Sequence, residues 1–349
     1  MVGFSAIRRW RGCRAKLRQG VPFSGFPSSA RSASDKKEQA GLVLQPDNLD
    51  AIAHMLGREF PNWQSPFVER VREGGSTRVY RVRTGGSVYY LRDRPEAGAS
   101  LVPEAKAHQI LRSRGVRVPE ILYVSDHDPD LGRSIMVTSE IAGRPVGYGD
   151  RPDGMREILR RAGRDLAAIN QLPVDGFGWV GRELGRDGAL QAEFPTYAAW
   201  IDHHYGDCTR VLGQAEVLTA AQVQTIDEAI AVESGAGTAN SAYLAHGDFD
   251  PTHIYQVDGQ YSGIIDFGEM RGAPQLYDLA HFQIESRDLL DELLDGYRDV
   301  ATLSGDFRQA IDFLSFLISL RRLSIHVKTG RRPLPPDLLT VRRWVTASQ

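Results

Sequence analysis

Residues 242–280 read AYLAHGDFDPTHIYQVDGQYSGIIDFGEMRGAPQLYDLA and hold most of the polar side chains that could do chemistry in this chain. Four of them lie within eight residues: His246, Asp248, Asp250 and His253. A further carboxylate, Asp266, stands eighteen positions after Asp248, and each of these two follows an apolar segment. This arrangement predicts a hairpin that brings both carboxylates to the same end of the hairpin, at the opening of one cleft.

The short His/Asp cluster is, by itself, typical of two different structures. Imidazole and carboxylate side chains at close spacing suit a divalent transition metal in a hydrolase. An aspartate before a proline also commonly holds a tight loop by bonding backbone groups, and this interpretation applies to Asp250 and Thr252. The surrounding sequence has to distinguish between them.

The composition is that of a globular protein. The chain has 349 residues, 42% of them hydrophobic, so it can bury one large core or two smaller ones, and its length favours two lobes. Lys and Arg number 42 against 44 Asp and Glu, and a net charge of -2 argues against a nucleic-acid partner. Cys13 and Cys208 form neither a metal-binding pattern nor a disulfide framework. No apolar run approaches the roughly 20 residues of a membrane helix. We therefore expect a cytoplasmic protein with no membrane partner.

Residues 1–42 form a predicted basic leader. The first 34 residues contain no Asp or Glu. Their basic residues are Arg8, Arg9, Arg11, Arg14, Lys16, Arg18 and Arg31. An Arg-rich, acid-poor segment is typical of an organelle transit peptide, and a disordered basic leader is the alternative interpretation.

The hydrophobic pattern changes along the chain from strand-like to helix-like. After a short helix over 47–60, runs rich in β-branched and aromatic residues predict strands at 67–71, 79–82, 88–91 and 134–141, with a helix over 104–114. Beyond Pro152 the periodicity predicts helices over 155–169, 197–212, 220–232, 288–303 and 307–323, with a loop at 176–178. Strands followed by helices predict an α+β protein with lobes at 43–142 and 143–349.

Two features of the first lobe are suited to phosphate binding. The glycine-rich stretch 73–78 lies between the first two strands, where small residues let backbone N–H groups approach a phosphate. Arg92 ends the third strand, and Glu104 opens the following helix, so that the guanidinium of Arg92 could pair with the carboxylate of Glu104. Arg94 lies on the same strand face and is a rival for this role.

In this order, these residues resemble the aminoglycoside phosphotransferase family of protein-kinase-like small-molecule kinases. The resemblance covers about residues 67–282. His246-Gly247-Asp248 is similar to the family's catalytic loop, and Ile264-Ile265-Asp266 to its metal-binding strand end. Residues 166–170 before the 176–178 loop are also similar, although Asn170 stands where a histidine is usual. The resemblance implies a two-lobed protein-kinase-like fold with an antiparallel-sheet N-terminal lobe that carries one helix, and a mainly helical C-terminal lobe.

The resemblance also implies roles for single residues. Gly75, Ser76 and Thr77 would cover the nucleotide phosphates, Arg92 would replace the family's phosphate-binding lysine with Glu104 as its partner, and the backbone of Ser139, Glu140 and Ile141 would bind adenine. Asp248 would be the catalytic base, Asp266 would bind Mg²⁺, and Asp278 would brace the catalytic loop. The cofactors implied are ATP and Mg²⁺.

His253 departs from the family pattern, which has a metal-binding Asn at this position. Mg²⁺ binds nitrogen poorly, so we consider four outcomes. His253 binds a softer metal such as Mn²⁺, an oxygen of Asp250 or Thr252 replaces it, only one metal is held firmly, or catalysis is lost. The last outcome corresponds to a nucleotide-binding pseudoenzyme with a scaffolding role.

The implied reaction is ATP-dependent transfer of the γ-phosphoryl group to a hydroxyl of a small molecule, such as an antibiotic, an amino-sugar or a metabolite alcohol. A metal-dependent hydrolase is a more distant alternative. Acidic residues are frequent over 285–299. They predict either an acidic wall for a cationic substrate or the solvated face of a helix, and the acceptor stays open.

Overall fold

A computed structural model of the protein describes residues 49–71, 77–94, 99–147, 153–181, 184–185, 188–235 and 241–348. The predicted leader lies outside these ranges, as do Gly75 and Ser76 of the predicted phosphate-binding stretch. Across the described ranges, every helix is too short or too polar to cross a membrane.

The N-terminal lobe is built on a five-stranded antiparallel sheet with strand order β1-β2-β3-β5-β4. Its strands are β1 (Phe67–Val71), β2 (Arg78–Thr84), β3 (Ser87–Asp93), β4 (Ile121–Asp128) and β5 (Arg133–Ser139). Gly85 and Gly86 join β2 to β3 with φ of 56° and 79°, the left-handed values of a two-residue hairpin. Helix α1 (Leu49–Glu59) packs Ile52, Met55 and Leu56 against the sheet.

Helix α2 (Val102–Ser113) is buried from two sides. Pro103 lies in its first turn, where a missing backbone N–H costs little. Ala105 packs with Met136 of the sheet in a small apolar cluster. Ala107 and Leu111 instead belong to the main core of the molecule, which is formed mostly by the C-terminal lobe. Because both lobes pack on α2, its first-turn residue Glu104 is held at the cleft between them.

The C-terminal lobe is mainly helical. Its helices are α3 (Met155–Ile169), α4 (Tyr197–Tyr205), α5 (Cys208–Gln214), α6 (Ala220–Gly235), α7 (Tyr277–Ser286), α8 (Leu290–Arg298), α9 (Phe307–Lys328) and α10 (Pro335–Ser348). The single helix predicted over 197–212 is two helices, because α4 ends at Tyr205 with Gly206 as its C-cap and the chain turns before α5. Glycine is a weak helix former, so this break has a local cause.

Two small antiparallel sheets position the stretch 242–280. The strands are β6 (Arg144–Pro145), β7 (Pro173–Val174), β8 (Phe177–Val180), β9 (Ala192–Phe194), β10 (Ala242–Ala245), β11 (Ile254–Val257), β12 (Gln260–Ile264) and β13 (Arg271–Ala273). The orders are β7-β10-β13-β8-β9 and β12-β11-β6. The hairpin predicted between Asp248 and Asp266 is β11–β12.

The prediction of a loop at 176–178 is wrong, since Phe177 begins strand β8. The flanking Gly176 and Gly178 have φ of 89° and 90°, which is unusual for strand residues and explains the wrong prediction. The glycines are needed because the backbones lie very close: a Cβ on Gly272 of β13 would lie 2.1 Å from the carbonyl oxygen of Gly176.

Helices α3 and α8 cross in direct backbone contact. A Cβ on Gly163 of α3 would lie 2.1 Å from the carbonyl oxygen of Leu293, and a Cβ on Gly296 of α8 would lie 1.7 Å from that of Arg160. Neither position has room for a side chain, so the distance between the two helices depends on both glycines.

Arg117, in the loop between α2 and β4, connects the two lobes. Its N–H donates to Asp165 Oδ2 of α3 (3.0 Å), and its Nη1 donates to the carbonyl oxygen of Tyr261 in β12 (2.7 Å). Its carbonyl oxygen accepts from the N–H of Ile264 (2.8 Å), and its guanidinium lies over the Tyr261 ring. One residue of the N-terminal lobe is thus bonded to both a helix and the central hairpin of the C-terminal lobe.

Candidate active site

The loop after β10 is held by one buried carboxylate, Asp278 of α7. Asp278 Oδ2 accepts from the N–H of His246 (2.8 Å) and Oδ1 from the N–H of Gly247 (2.9 Å). The side-chain amide of Asn170 donates to Asp278 Oδ2 (2.7 Å) and to the carbonyl oxygen of Leu244 (3.0 Å). These are the contacts expected of a residue that braces the loop. Asn170, which stands where a histidine is usual in the family that the sequence resembles, donates one of the hydrogen bonds to Asp278.

Position 247 accepts only glycine. Its φ is +90°, and a Cβ here would lie 2.0 Å from the carbonyl oxygen of Glu269. A side chain would therefore be strained by backbone conformation and would also clash. The glycine allows the loop to turn directly over the segment that follows Asp266, so that Asp248 is presented beside it.

Asp248 pairs with His281, a residue that the sequence analysis missed. His281 Nε2 lies 3.3 Å from Asp248 Oδ1, and His281 Nδ1 lies 3.1 Å from the carbonyl oxygen of Phe249. The hydrogen bond from His281 is the main reason that the pKa of Asp248 lies well below its usual range. His281 stands three positions after Asp278 on α7, so one face of this helix both braces the loop and contacts its carboxylate.

Asp266 follows β12 in a left-handed conformation, with φ of 66° and ψ of 67°. Its Oδ1 accepts weakly from the N–H of Gly268 (3.4 Å), and its side chain is 55% exposed. For a residue other than glycine, this backbone conformation is sparsely populated and is maintained by its surroundings. The carboxylate is thus held at the mouth of the hairpin but left open to a ligand.

His253 directs one ring nitrogen, Nε2, toward Asp266. His253 Nδ1 donates to the carbonyl oxygen of Asp248 (2.7 Å). In the neutral ring, Nε2 therefore carries the lone pair, and it lies 3.9 Å from Asp266 Oδ2. A backbone bond at one nitrogen that orients the other is the usual arrangement of a metal-binding histidine. Among the residues described, no group of three or more His, Cys, Asp or Glu side chains forms a metal cluster, so a cation here would need ligands from a substrate or water.

The remaining residues of the His/Asp cluster are used inside the loop. Asp250 Oδ1 accepts from the N–H of Thr252 (2.6 Å) and from its hydroxyl (2.5 Å). His246 Nε2 is bonded to the carbonyl oxygen of Ile265 (2.8 Å), and the N–H of Asp248 donates to its Nδ1 (3.4 Å). Because both ring nitrogens of His246 are occupied, the cluster does not provide the ligands of the metal-dependent hydrolase considered above.

Arg92 is the cation at the back of the cleft. It forms an ion pair with Glu104 and donates from Nη2 to the hydroxyl of Thr77 (3.2 Å). The same Nη2 lies 3.7 Å from Asp266 Oδ1, and Arg92 and Glu104 are 11% and 3% exposed. The structure therefore brings together the predicted Arg92, Glu104, Thr77 and Asp266, and it is Arg92 and not Arg94 that contacts Glu104.

The segment predicted to bind adenine joins the two lobes. The N–H of Ser139 donates to the carbonyl oxygen of Glu120 (2.9 Å), and its hydroxyl accepts from the N–H of Glu120 (2.9 Å). Glu140 forms an ion pair with Arg81 at 3.6 Å. In the described part of the chain, the N–H of Ile141 has no partner. Unlike the N–H of Ser139, the N–H of Ile141 is therefore a backbone donor available to a base.

A cavity of about 210 Å³ opens beside Asp248 on the side of the C-terminal lobe. Its aromatic lining consists of Trp179, Trp200, Tyr205 and Tyr277. Its polar lining consists of His204, Asp248, Glu269, Arg271, His281, Arg321 and Arg322. The pKa of His204 is lowered to about 3, first by burial and next by Arg321, so His204 is a neutral part of this wall.

Most acidic residues of 285–299 lie away from this cavity, although Glu285 pairs with Arg322 of its lining at 2.7 Å. Asp295 pairs with Arg156, Asp299 with Arg160 and Arg164, and Asp291 with Arg308. None of them lines the cavity at Asp248. The predicted acidic wall is therefore not part of this cavity, and the interpretation of a solvated helix face fits these contacts.

A sequence model of the phosphotransferase enzyme family matches residues 68–313. The match spans most of the chain, and the protein belongs to this family. This confirms the predicted family and the predicted enzyme class, a phosphotransferase with an alcohol group as acceptor. The comparison with curated proteins found no match.

Solved structures with the same fold include several phosphotransferases. Aminoglycoside phosphotransferase APH(4)-Ia is 15% identical, with a TM-score of 0.59 over 86% of this chain and 99% of its own. The GDP complex of aminoglycoside 2'-phosphotransferase-IIIa is 15% identical, with a TM-score of 0.59 over 87% and 100%. A putative fructosamine-3-kinase from Thermobifida fusca YX-ER1 is 19% identical, with a TM-score of 0.56 over 85% and 96%. The predicted two-lobed protein-kinase-like fold is confirmed.

Proposed function

We propose that the protein is an ATP-dependent O-phosphotransferase that moves the γ-phosphoryl group to a hydroxyl of a small molecule. One observation carries the proposal: Asp248 and Asp266 lie at the two ends of the β11–β12 hairpin, and Arg92 Nη2 reaches to 3.7 Å from Asp266 Oδ1. A base, a metal-binding carboxylate and a phosphate-binding cation thus face one cleft. Structures of similar fold hold nucleotides, including a thermostable mutant of APH(4)-Ia with ADP and hygromycin B.

The proposed reaction is an in-line displacement at the γ-phosphorus. The acceptor hydroxyl oxygen forms a bond to phosphorus, the bond from phosphorus to the bridging oxygen breaks, and its electron pair leaves with ADP. The hydroxyl proton passes to Asp248. Phosphoryl transfer has a loose transition state, so the base mainly orients the hydroxyl and receives its proton late. A carboxylate whose pKa is held low by His281 is adequate for this role.

The donor set of the cleft fits a divalent cation bound together with nucleotide phosphates. Asp266 offers an exposed carboxylate and His253 offers the Nε2 lone pair at 3.9 Å from it. When bound, Mg²⁺ would neutralise phosphate charge, and Mn²⁺ tolerates a nitrogen ligand better than Mg²⁺ does. Arg92, fixed by Glu104, would bind phosphate oxygens as a planar fork instead of a point ammonium. Thr77, with Gly75 and Ser76, would cover the phosphates.

The adenine would bind against the segment between the lobes. The N–H of Ile141 is a donor, and the side chain of Ile141 faces Gly263 of β12, where an added Cβ would lie 3.0 Å from Ile141 Cδ1. The close packing of this segment on the hairpin fixes the distance between base and phosphate sites. The same backbone donor can pair with guanine, so the choice of ATP over GTP is part of the proposal.

The test combines nucleotide binding with turnover. Thermal unfolding with ATP or GTP and with Mg²⁺ or Mn²⁺ measures binding, and ADP release across a panel of hydroxylated compounds measures transfer. We expect Asp248→Asn to keep nucleotide stabilisation and lose transfer by at least about a thousandfold, because it removes the base but keeps its size. Asp266→Asn should weaken metal-dependent stabilisation as well. Stabilisation by nucleotide without turnover in any condition would show a nucleotide-binding pseudoenzyme instead.

A further inference from the structure

The cavity beside Asp248 is lined by more cations than anions. Three arginines line it, Arg271, Arg321 and Arg322, against two carboxylates, Asp248 and Glu269. A half-buried site with excess positive charge selects for anions. The chemical identity of the acceptor therefore depends on which of these cations is already neutralised by the protein itself.

Two of the three arginines have protein partners. Arg271 lies 3.4 Å from Glu269 Oε2, donates from Nη1 to the hydroxyl of Tyr277 (3.0 Å), and stacks over the Trp179 ring at 4.4 Å. Arg322 pairs with Glu285 at 2.7 Å and reaches Asp337 at 3.4 Å. These partners hold both guanidiniums against the wall and offset their charges.

Arg321 is different. It lies on α9, is half-buried, and within the residues that the structure describes it makes no ion pair and no hydrogen bond. Its field depresses the pKa of His204 across the cavity, after the larger effect of burial. A partly desolvated guanidinium without a carboxylate is unusual, since such groups are normally paired. It is an anion-binding group that the protein has not satisfied.

The rest of the wall supports the same chemistry. His204 is neutral, and the aromatic side chains of Trp200, Tyr205 and Tyr277 line the same cavity as Arg321 and give it flat apolar surface. Such a surface favours a ring or a carbon skeleton. A polycationic acceptor would instead have to enter a cavity whose unpaired charge is positive, and like charges at close range cost several kcal/mol.

We propose that the acceptor carries an oxyanion, a carboxylate or a phosphate ester, on the same molecule as the hydroxyl that receives the phosphoryl group, and that Arg321 binds this oxyanion. The inference rests on the proposed phosphotransferase function and defines the acceptor class for it. Arg321 is a fork that can bind either group in bidentate geometry, and it lies in the same cavity as Asp248, where the hydroxyl would be oriented.

A matched series of sugars separates charge from shape. Glucuronate, glucose 6-phosphate, glucose and glucosamine share one hydroxylated ring and carry a carboxylate, a phosphate, no charge and an ammonium, and they head a wider library of hydroxylated compounds sorted by charge. Transfer is followed by ³¹P detection, and nucleotide hydrolysis without acceptor is measured in parallel. We expect the best acceptors to be anionic, and the carboxylate and phosphate arms show which oxyanion is preferred.

The variant Arg321→Ala tests the residue directly. Its KM for the best anionic acceptor should rise about 10- to 100-fold, with a smaller change in kcat, because a charge-assisted hydrogen bond to the acceptor is lost. Nucleotide hydrolysis without acceptor should stay near the wild-type rate. Arg321→Lys should recover part of the loss. Arg308→Ala is the matched control, because Arg308 is on the same helix but is exposed and paired with Asp291.

Three results would overturn the inference while leaving the phosphotransferase proposal intact: best acceptors that are neutral or cationic, an unchanged KM in Arg321→Ala, or nucleotide hydrolysis with no transfer to any anionic compound. Absence of both hydrolysis and transfer in the wild-type protein under every metal and nucleotide would overturn the phosphotransferase proposal and this inference with it.

Discussion

Asp248, the proposed catalytic base, is contacted by two histidines. His281 lies 3.3 Å from its Oδ1, and its carbonyl oxygen accepts from His253 Nδ1 at 2.7 Å. The two histidines therefore fix the side chain and the backbone of one residue. A base that has little freedom to rotate loses little entropy when it engages a hydroxyl, and this is the advantage that the arrangement offers.

The pairing with His281 predicts a pH effect. The hydrogen bond lowers the pKa of Asp248, so the carboxylate is ionised well below neutral pH. His281→Gln should let this pKa rise toward its usual value near 4, and the acid limb of kcat/KM should move to higher pH. At neutral pH Asp248 stays ionised, so a fall in kcat of about tenfold there would reflect lost positioning. Profiles from pH 4 to 8 measure both effects.

His281→Phe removes the donor altogether and should give a larger fall in kcat than His281→Gln, which keeps one. An acid limb that does not move in either variant would contradict a direct interaction between His281 and Asp248. Nucleotide-induced thermal stabilisation serves as the control for correct folding, because His281 has no hydrogen bond or ion pair with those predicted nucleotide-binding residues that the structure describes.

His253 predicts a metal preference. Its Nε2 points toward Asp266, so the wild-type protein should show higher activity with Mn²⁺ than with Mg²⁺. His253→Asn replaces the nitrogen with an amide oxygen, the ligand type that Mg²⁺ prefers, and should raise the Mg²⁺-supported activity relative to the Mn²⁺-supported activity by about fivefold or more. Initial rates over a titration of each metal give the ratio.

Loss of activity with both metals in His253→Asn would show instead that the bond from His253 Nδ1 to the Asp248 carbonyl is the essential one. His253→Gln gives the comparison, since its longer side chain can place an amide oxygen near the position of Nε2 but leaves no donor at the position of Nδ1.

The site residues differ in how far the sequence identifies them. Asp248 and Asp266 flank a hairpin, and short-range pattern predicts their proximity. Arg92 and Glu104 are linked by one strand-to-helix connection, which also predicts their pairing. His281 and Arg321 lie on helices whose position over the loop depends on long-range packing, and no local pattern indicates it. Gly75 and Ser76 lie outside the described residues, so their role stays a prediction.

At the scale of the element, replacing glycine with alanine should have opposite effects on stability at two positions. One is Gly296 at the crossing of α3 and α8, and the other is Gly57 on α1. Gly296→Ala places a Cβ 1.7 Å from the carbonyl oxygen of Arg160, so the helices must separate, and the free energy of unfolding should fall by about 1 to 3 kcal/mol. Gly57 lies on the exposed face of α1, where an added Cβ would have no atom within 4 Å, so Gly57→Ala should raise the free energy of unfolding by up to about 1 kcal/mol through helix propensity. Denaturant unfolding measures both.

Equal effects in the two variants would show that propensity and not packing controls the crossing. Gly163→Ala, with a Cβ 2.1 Å from the carbonyl oxygen of Leu293, tests the same contact from the other helix, and it should be destabilising in the same way as Gly296→Ala.

The junction of α9 and α10 predicts a pH-dependent stability. Asp337 of α10 is fully buried, and burial raises its pKa to about 6 although Arg322 lies 3.4 Å away. Because the folded pKa is above the unfolded value of about 3.9, folding takes up a proton between these values. This contribution to stability is full below about pH 4 and is lost as pH rises to about 6.

Asp337→Asn removes this titration. The stability of the variant relative to wild type should therefore increase by about 1 to 3 kcal/mol between pH 4 and pH 8, with the midpoint of the change near pH 5. Unfolding temperatures across this range measure it. The control is Asp299→Asn: Arg164 lowers the pKa of Asp299, so this variant's difference from wild type should be constant between pH 5 and 8. A constant difference for Asp337→Asn as well would contradict the prediction.

The positions of helices and strands show which local sequence signals predict secondary structure in this chain. Strand β1 and helix α3 follow their hydrophobic periods closely, and both are where the sequence predicts them. Helix α10 was not predicted, although Pro335 and Pro336 in its first turn and Asp337 after them are typical helix-start signals. The basic residues around it obscured the pattern. Strand β8 was not predicted because its glycines serve a backbone contact that only the folded molecule contains.

At the scale of the whole molecule, the order of strands before helices predicts two lobes, and the sheet and the helical lobe confirm that architecture. The apolar core does not follow the same division. Ala107, Leu111, Val116 and Val118 belong to the N-terminal part of the chain but pack in the main core with the helices that follow. Hydrophobic periodicity identifies the buried face of an element but not the element that it packs against, so this shared core could not be predicted.

The bonds of Arg117 to Asp165, Tyr261 and Ile264 have a kinetic consequence. Opening the cleft on this side would require breaking these contacts together with the apolar packing beneath them, so the two halves of the proposed nucleotide site stay at a nearly constant separation. A nucleotide then meets a site that needs little rearrangement, its association rate is set by diffusion and charge, and its residence time is set by the contacts that it makes.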